Sequence, residues 1–183
     1  MGNSVVNASI QDTGGTYAEN RSASLEIYAL TAMLMSPNAL TWATLELGTT
    51  NQTATNDPLI INNTGNVDIG AGGITITGYD LQGASITTDF IRAQNFSIHH
   101  LNGTADCSGP TCLECAGTAL VNNTATAISI ANLTAGNNSI NALDAASGQE
   151  ALFICLKTVP SEIARQTYNT SGAATSSWVI AVG

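Results

Sequence analysis

Basic side chains are nearly absent from this sequence. Arg21, Arg92, Lys157 and Arg165 are the only ones in 183 residues, against 13 acidic side chains, for a net charge of −9. Neutralising phosphates takes clustered Lys and Arg, so the deficit argues against nucleic acid and anionic membrane surfaces as partners. Charge of either sign is scarce, at 9% of residues. Long hydrophobic runs are missing too; none approaches the roughly 20 residues of a membrane span. The opening Met1-Gly-Asn-Ser-Val-Val6 lacks the basic and apolar regions of a signal peptide, so the numbering is expected to start on a mature chain.

Catalytic signatures are equally lacking. There is no Gly-x-Ser-x-Gly elbow, no phosphate-cradling loop and no His-Glu-x-x-His. Gly70-Ala-Gly-Gly73 is a loose glycine turn without the Lys and helix of a phosphate loop. Asp12 with Glu19, and Asp144 with Glu150, read as ordinary loop carboxylates without EF-hand spacing. A glycoside hydrolase would need two carboxylates converging across a cleft, and nothing in the sequence announces them. The expectation is a protein that is not an enzyme, with no metal and no cofactor.

Ser, Thr, Asn and Gly stand where a cytosolic protein carries Lys and Glu. Apolar residues are nonetheless frequent, at 44%, and regularly spaced, which excludes disorder. Ten Asn-X-Ser/Thr sequons occur: Asn7, Asn20, Asn51, Asn62, Asn95, Asn102, Asn122, Asn132, Asn137 and Asn169. Composition alone gives about four such matches. With the low charge, the excess places the chain outside the cell and predicts N-linked glycans, best occupied at turns such as Asn51, Asn102 and Asn137.

Period-two alternation dominates the chain and predicts strands with one face buried. Val6, Ala8 and Ile10 alternate with Asn7 and Ser9, and Ala23, Leu25, Ile27 and Ala29 with Ser24, Glu26 and Tyr28. Further strands are expected at Trp42–Leu47, Leu59–Ile61, Val67–Thr77, Asn95–His99, Ala119–Val121, Ala125–Ala131, Ala151–Thr158 and Trp178–Val182. Turn clusters at Gly48–Asp57, Asn62–Asn66 and Asn137–Gly148 separate them. Leu30–Met35 and Ser161–Gln166 are the two helical candidates, both too short to change the class. The pattern is all-β: an antiparallel β-sandwich or jelly roll at 21–183, with an N-terminal strand and a Gly-rich linker (Asp12–Glu19) at 1–20. A tethered apolar strand can fold back on its own sheet, or it can insert into a neighbouring subunit by β-strand addition.

Cys107, Cys112, Cys115 and Cys155 have a C-x4-C-x2-C spacing with a distant fourth cysteine, which mimics plant-type ferredoxins. Cys155 lies in a period-two strand and the sequons imply an oxidising compartment, so two disulfides are expected. Of three connectivities, Cys107–Cys112 with Cys115–Cys155 is preferred. His99 and His100 are neighbours on a strand and point to opposite faces, so they are not expected to share a metal.

Two stretches carry a family resemblance. One is Leu40-Thr-Trp-Ala-Thr-Leu-Glu-Leu-Gly48, followed by Thr50-Asn-Gln-Thr53 and Pro58-Leu-Ile-Ile-Asn-Asn-Thr-Gly-Asn-Val-Asp-Ile69. The other is Gln149-Glu-Ala-Leu-Phe-Ile-Cys-Leu-Lys-Thr-Val-Pro160 with Tyr168-Asn-Thr-Ser-Gly172 and Trp178-Val-Ile-Ala-Val182. Together they resemble the jelly-roll subunits of archaeal bundling pili and surface proteins, distantly similar to the TasA fibres of bacterial biofilm matrices. The resemblance implies a sandwich protomer polymerised by donor-strand exchange, with Val6, Ala8 and Ile10 on the donor. The expected function is a structural subunit of an extracellular, cell-surface filament, a homopolymer serving adhesion or biofilm formation. The competing reading is a stand-alone binding domain of a surface-layer protein or adhesin.

Overall fold

A computed structural model describes residues 2–15, 17–100, 115, 117–128, 131–135 and 148–183, with the backbone path alone for 2–10, 17–26 and 99–100. The chain divides into two compact units, Met1–Leu30 and Thr31–Gly183.

The first unit is a hairpin of β1 (Gly2–Gln11) and β2 (Tyr17–Ile27), paired antiparallel from Gly2↔Ile27 to Gln11↔Tyr17. Asp12 makes the turn. Its carbonyl accepts the Gly15 N–H at 3.1 Å and its Oδ1 accepts the Gly14 N–H at 2.9 Å. Gly15 sits at φ +86°, open to glycine without steric cost. The stretch read as a linker, Asp12–Glu19, is thus a tight turn followed by the start of β2. The expected boundary after residue 20 falls inside β2; the units part after Leu30. Register shifts between Val6 and Ala8, which pair with Ala23 and Asn20, so the extra residue is on β2.

The second unit holds β3 (Met33–Ser36), β4 (Thr50–Thr53), β5 (Leu59–Asn63), β6 (Ile74–Gly78), β7 (Leu81–Gly83) and β8 (Phe90–Ile91). A 3-10 turn at Ala93–Asn95 leads into β9 (Phe96–His100), and β10 (Thr118–Ala119), β11 (Thr124–Ala127), β12 (Gln149–Thr158), β13 (Tyr168–Asn169) and β14 (Val179–Val182) follow. Every strand pairing among the described residues is antiparallel, and the protein is all-β. The large sheet runs β10-β9-β12-β5-β3, with β4 also on β12; smaller sheets run β11-β6-β14 and β13-β7-β8.

β12 organises the large sheet. One edge pairs with β9 from Leu152↔His100 to Leu156↔Phe96. The other pairs first with β5 (Gln149↔Asn62 to Leu152↔Leu59) and then with β4 (Cys155↔Thr53 to Thr158↔Thr50). Alternation decides which side chains enter the core: Leu59 and Ile61 on β5, Ile74 and Ile76 on β6, and Leu152, Ile154 and Leu156 on β12. Together with Phe96 and Ile98 they form one cluster between the large sheet and the β6 sheet, the arrangement of a sandwich. Each such side chain contributes about 1.5–3 kcal/mol by leaving water.

Several stretches differ from the sequence expectation, the short strands β7 and β8 among them. Trp42–Leu47 carries no strand pairing. Val67–Thr77 is a strand only from Ile74. Before it, Ile69 makes one bridge to Leu133, and Gly73 N–H closes a turn on Gly70 O at 2.9 Å, with Gly72 at φ +81°. Thr50–Thr53, assigned to a turn cluster, pairs with β12 because β5 covers only half of that edge. Leu30–Met35, weighed as helical, contributes the start of β3, where Met35 pairs opposite Ile61.

Cys115 and Cys155 form a disulfide, as expected. Two of the four cysteine sulfurs are thereby bonded to each other and cannot serve as thiolate ligands of a four-cysteine cluster. Cys107 and Cys112 lie outside the described residues. The bond closes a loop of sequence separation 40, for which chain entropy gives about 4 kcal/mol of stabilisation. Cys155→Ala is expected to lower unfolding free energy in denaturant by about that amount, with no further loss on adding reductant if Cys107 and Cys112 contribute little. An unchanged midpoint would show the bond to be energetically idle.

Candidate functional site

The β6 sheet has three strands and faces a sheet of six. Part of the apolar interior is covered instead by chain without sheet pairing, and there a cavity of about 1020 Å³ opens to the surface. Trp42, Leu45, Leu47, Trp178 and Ile180 line it, together with the buried Phe96, Ile154 and Leu156.

Aromatic packing holds this lining. Phe96, fully buried, meets Trp42 edge-on at 5.5 Å between ring centres and Trp178 at 5.0 Å. Each such pair adds about 0.5–1.5 kcal/mol beyond burial. Both indole N–H groups are satisfied by main chain: Trp42 donates to Gln52 O at 3.3 Å and Trp178 to Tyr79 O at 2.8 Å. The tryptophans are therefore anchored as walls.

The lip at residues 163–170 is tied down by side chains. Gln166 Oε1 accepts the N–H groups of Ser85 (2.8 Å) and Ile86 (2.7 Å), and Asp89 accepts the Ala164 N–H at 2.8 Å. Tyr168 donates its hydroxyl to Ala164 O at 2.7 Å and accepts from Gln166 Nε2 at 3.3 Å. Burial pushes the Tyr168 hydroxyl pKa up and the Asp89 charge adds to this, while the Gln166 hydrogen bond pulls it back.

A second knot lies at Asp80. Its carboxylate accepts from Arg92 at 2.8 Å and from the buried Ala93 N–H at 2.7 Å, while Thr175 donates to its carbonyl. Arg92 also lies over the Phe90 ring at 4.8 Å. This arrangement positions β8 and the chain leading to Trp178; its groups are all engaged in holding the fold.

Among the described residues, no carboxylate, imidazole or thiol lines the groove. The one charged residue of the described lining, Arg165, is already paired to Glu46 at 2.7 Å. The site offers apolar wall, aromatic faces and main-chain groups, which suit binding of an extended or apolar partner.

The sequence-predicted residues are dispersed. Val6, Ala8 and Ile10 are on β1, opposite Ala23, Asn20 and Ala18. His99 and His100 pair with Phe153 and Leu152. Among the sequons, Asn7 and Asn20 are on the hairpin, and Asn51 is exposed on β4 at φ +56°. Asn62 is half-buried on β5 and accepts from Gln149 Nε2. Asn95 ends the 3-10 turn beside buried Phe96 and Ser97. Asn122 is exposed and accepts the Asp80 N–H, Asn132 is half-buried, and Asn169 accepts from Ser171. Asn102 and Asn137 lie outside the described residues.

Sequence reasoning missed the groove. Its trace is the irregular spacing of Trp42, Leu45 and Leu47, three then two, which is not a strand period. Comparison with protein-family models, with curated proteins and with solved structures finds no match for this chain.

The Tyr168 shift has a definite pH consequence. A raised pKa favours the neutral phenol in the folded state, so its contribution is intact below the ordinary value of 10.0 and is lost as pH climbs above it. Denaturant unfolding is expected to show stability falling above about pH 10 more steeply in the unaltered chain than in Tyr168→Phe. Equal slopes would remove Tyr168 as the source.

Proposed function

We infer that this chain is a structural subunit of an extracellular, glycosylated filament, a pilus or matrix fibre serving adhesion or biofilm formation. Subunits polymerise when the N-terminal hairpin of one supplies a strand to the sandwich of the next. The observation that carries this reading is an open, largely apolar groove whose described lining holds no carboxylate, imidazole or thiol, in a chain whose N-terminal strands, among the described residues, pair with each other. A two-stranded ribbon is marginal in water by itself, so β1 and β2 gain from any sheet edge they join. The stretch Gly2–Gln11 carries no charged residue, which suits an apolar receptor. Head-to-tail donation of this kind does not close and yields a fibre. The jelly-roll topology and the archaeal surface-protein relationship rest on the motif resemblance. The Cys115–Cys155 disulfide supports an oxidising, extracellular setting. Among the described residues no helix is long and apolar enough to cross a membrane.

The competing reading is a stand-alone binding domain of a surface-layer protein or adhesin. It is favoured by the pairing of β1 with β2 inside one chain.

Electron microscopy of the purified chain decides between them. Filaments are expected from the unaltered protein, and single particles from Val6→Asp or Ile10→Asp, with the melting temperature of the sandwich retained. A buried unpaired carboxylate costs more than any one apolar contact returns. Single particles from the unaltered chain would support the binding domain. Glycopeptide mass spectrometry of native material is expected to find sugar at exposed Asn51 and Asn122 ahead of Asn62, which is held between β3 and β12. Bare native protein would end the glycoprotein reading.

A further inference from the structure

We propose that Trp42–Leu45 is the main-chain rail of the groove, and that its occupant is β1 of a second copy of this chain. The proposal rests on the strand-donation reading and adds to it the receiving edge. Among the described residues, Trp42, Ala43, Thr44 and Leu45 make no main-chain hydrogen bond, although the segments on both sides of them do. Thr41 O accepts the Thr55 N–H at 2.7 Å, and Gly48 N–H reaches Val159 O at 2.9 Å. The unbonded stretch is not loose at its ends. Asn56 donates to Ala39 O at 2.7 Å and accepts the Thr41 N–H at 3.0 Å, and Thr49 closes a turn on Glu46 O. The Trp42 ring is fixed between Phe96 and Gln52 O.

Four consecutive residues with unused N–H and C=O groups, held at both ends beside an apolar groove, form a preorganised β-augmentation edge. β14, which among the described residues pairs with β6 alone, also reaches the groove through Ile180. The choice of occupant follows from charge and pairing. β1 has no charged residue and, among the described residues, is paired along one edge, by β2; β2 carries Glu19, Arg21 and Glu26. Arg165, the only charged group in the described lining, is already paired with Glu46 and offers no free counter-charge to β2.

Hydrogen exchange on the full chain, as monomer and as filament, tests this. Amides within Trp42–Leu45 are expected to slow by at least about a hundredfold on assembly. Ala43→Pro and Thr44→Pro each remove one N–H from the rail, so at least one of them should slow assembly by about tenfold while monomer melting is retained. Filaments whose Trp42–Leu45 amides exchange as fast as in the monomer would overturn the rail and leave strand donation standing. Failure of the unaltered chain to assemble would overturn both. Slowing in filaments made with the β1 variants Val6→Asp or Ile10→Asp would exclude β1 as the occupant.

Discussion

The second unit depends on the double pairing of β12. Its ten residues are hydrogen-bonded to β9 on one edge and to β5 and then β4 on the other. Because β5 and β4 share an edge, the chain must step between them, and at that step Asp57 reaches the Ile154 N–H at 3.4 Å. With both edges occupied and Leu152, Ile154 and Leu156 turned inward, β12 brings distant parts of the chain to one core. The six-stranded layer is assembled around it.

The uneven layers follow from this. A six-stranded face needs more cover than a three-stranded sheet can supply, and the remainder falls to Trp42–Leu47 and residues 163–170. Irregular chain can take that role only if its polar groups are satisfied locally. Gln166, Asp89, Asp80 and Asn63 each do this; Asn63, buried at 1% exposure, bonds Val67 O, Leu133 O and the Gly65 N–H. These side chains replace sheet ladders with fixed loops. Trp42–Leu45 is where that substitution stops, and unused main-chain groups coincide there with the open groove.

Each unit is thus incomplete in a different way. The hairpin has two strands, which among the described residues pair with each other. The sandwich has a groove lined in part by an unpaired stretch and by Ile180 of β14. Both features are places where main-chain groups are left outside any sheet ladder among the described residues.

Much of this was legible in the sequence, because strand alternation is a local property. Leu59, Ile61, Leu152, Ile154 and Leu156 announce their faces by spacing alone, and an all-β class follows. The Cys115–Cys155 bond was readable from compartment and strand context. Partner choice was not, since a strand-like run does not say which edge it will find. Ala23–Ile27 alternates as well as β5 does, yet pairs with β1, and Thr50–Thr53 reads as turn, yet pairs with β12. Trp42–Leu47 shows the limit most plainly: its apolar residues determined that it would pack on a core. Only the tertiary structure decided that it would do so without a ladder, because the neighbouring edges of β12 were already filled.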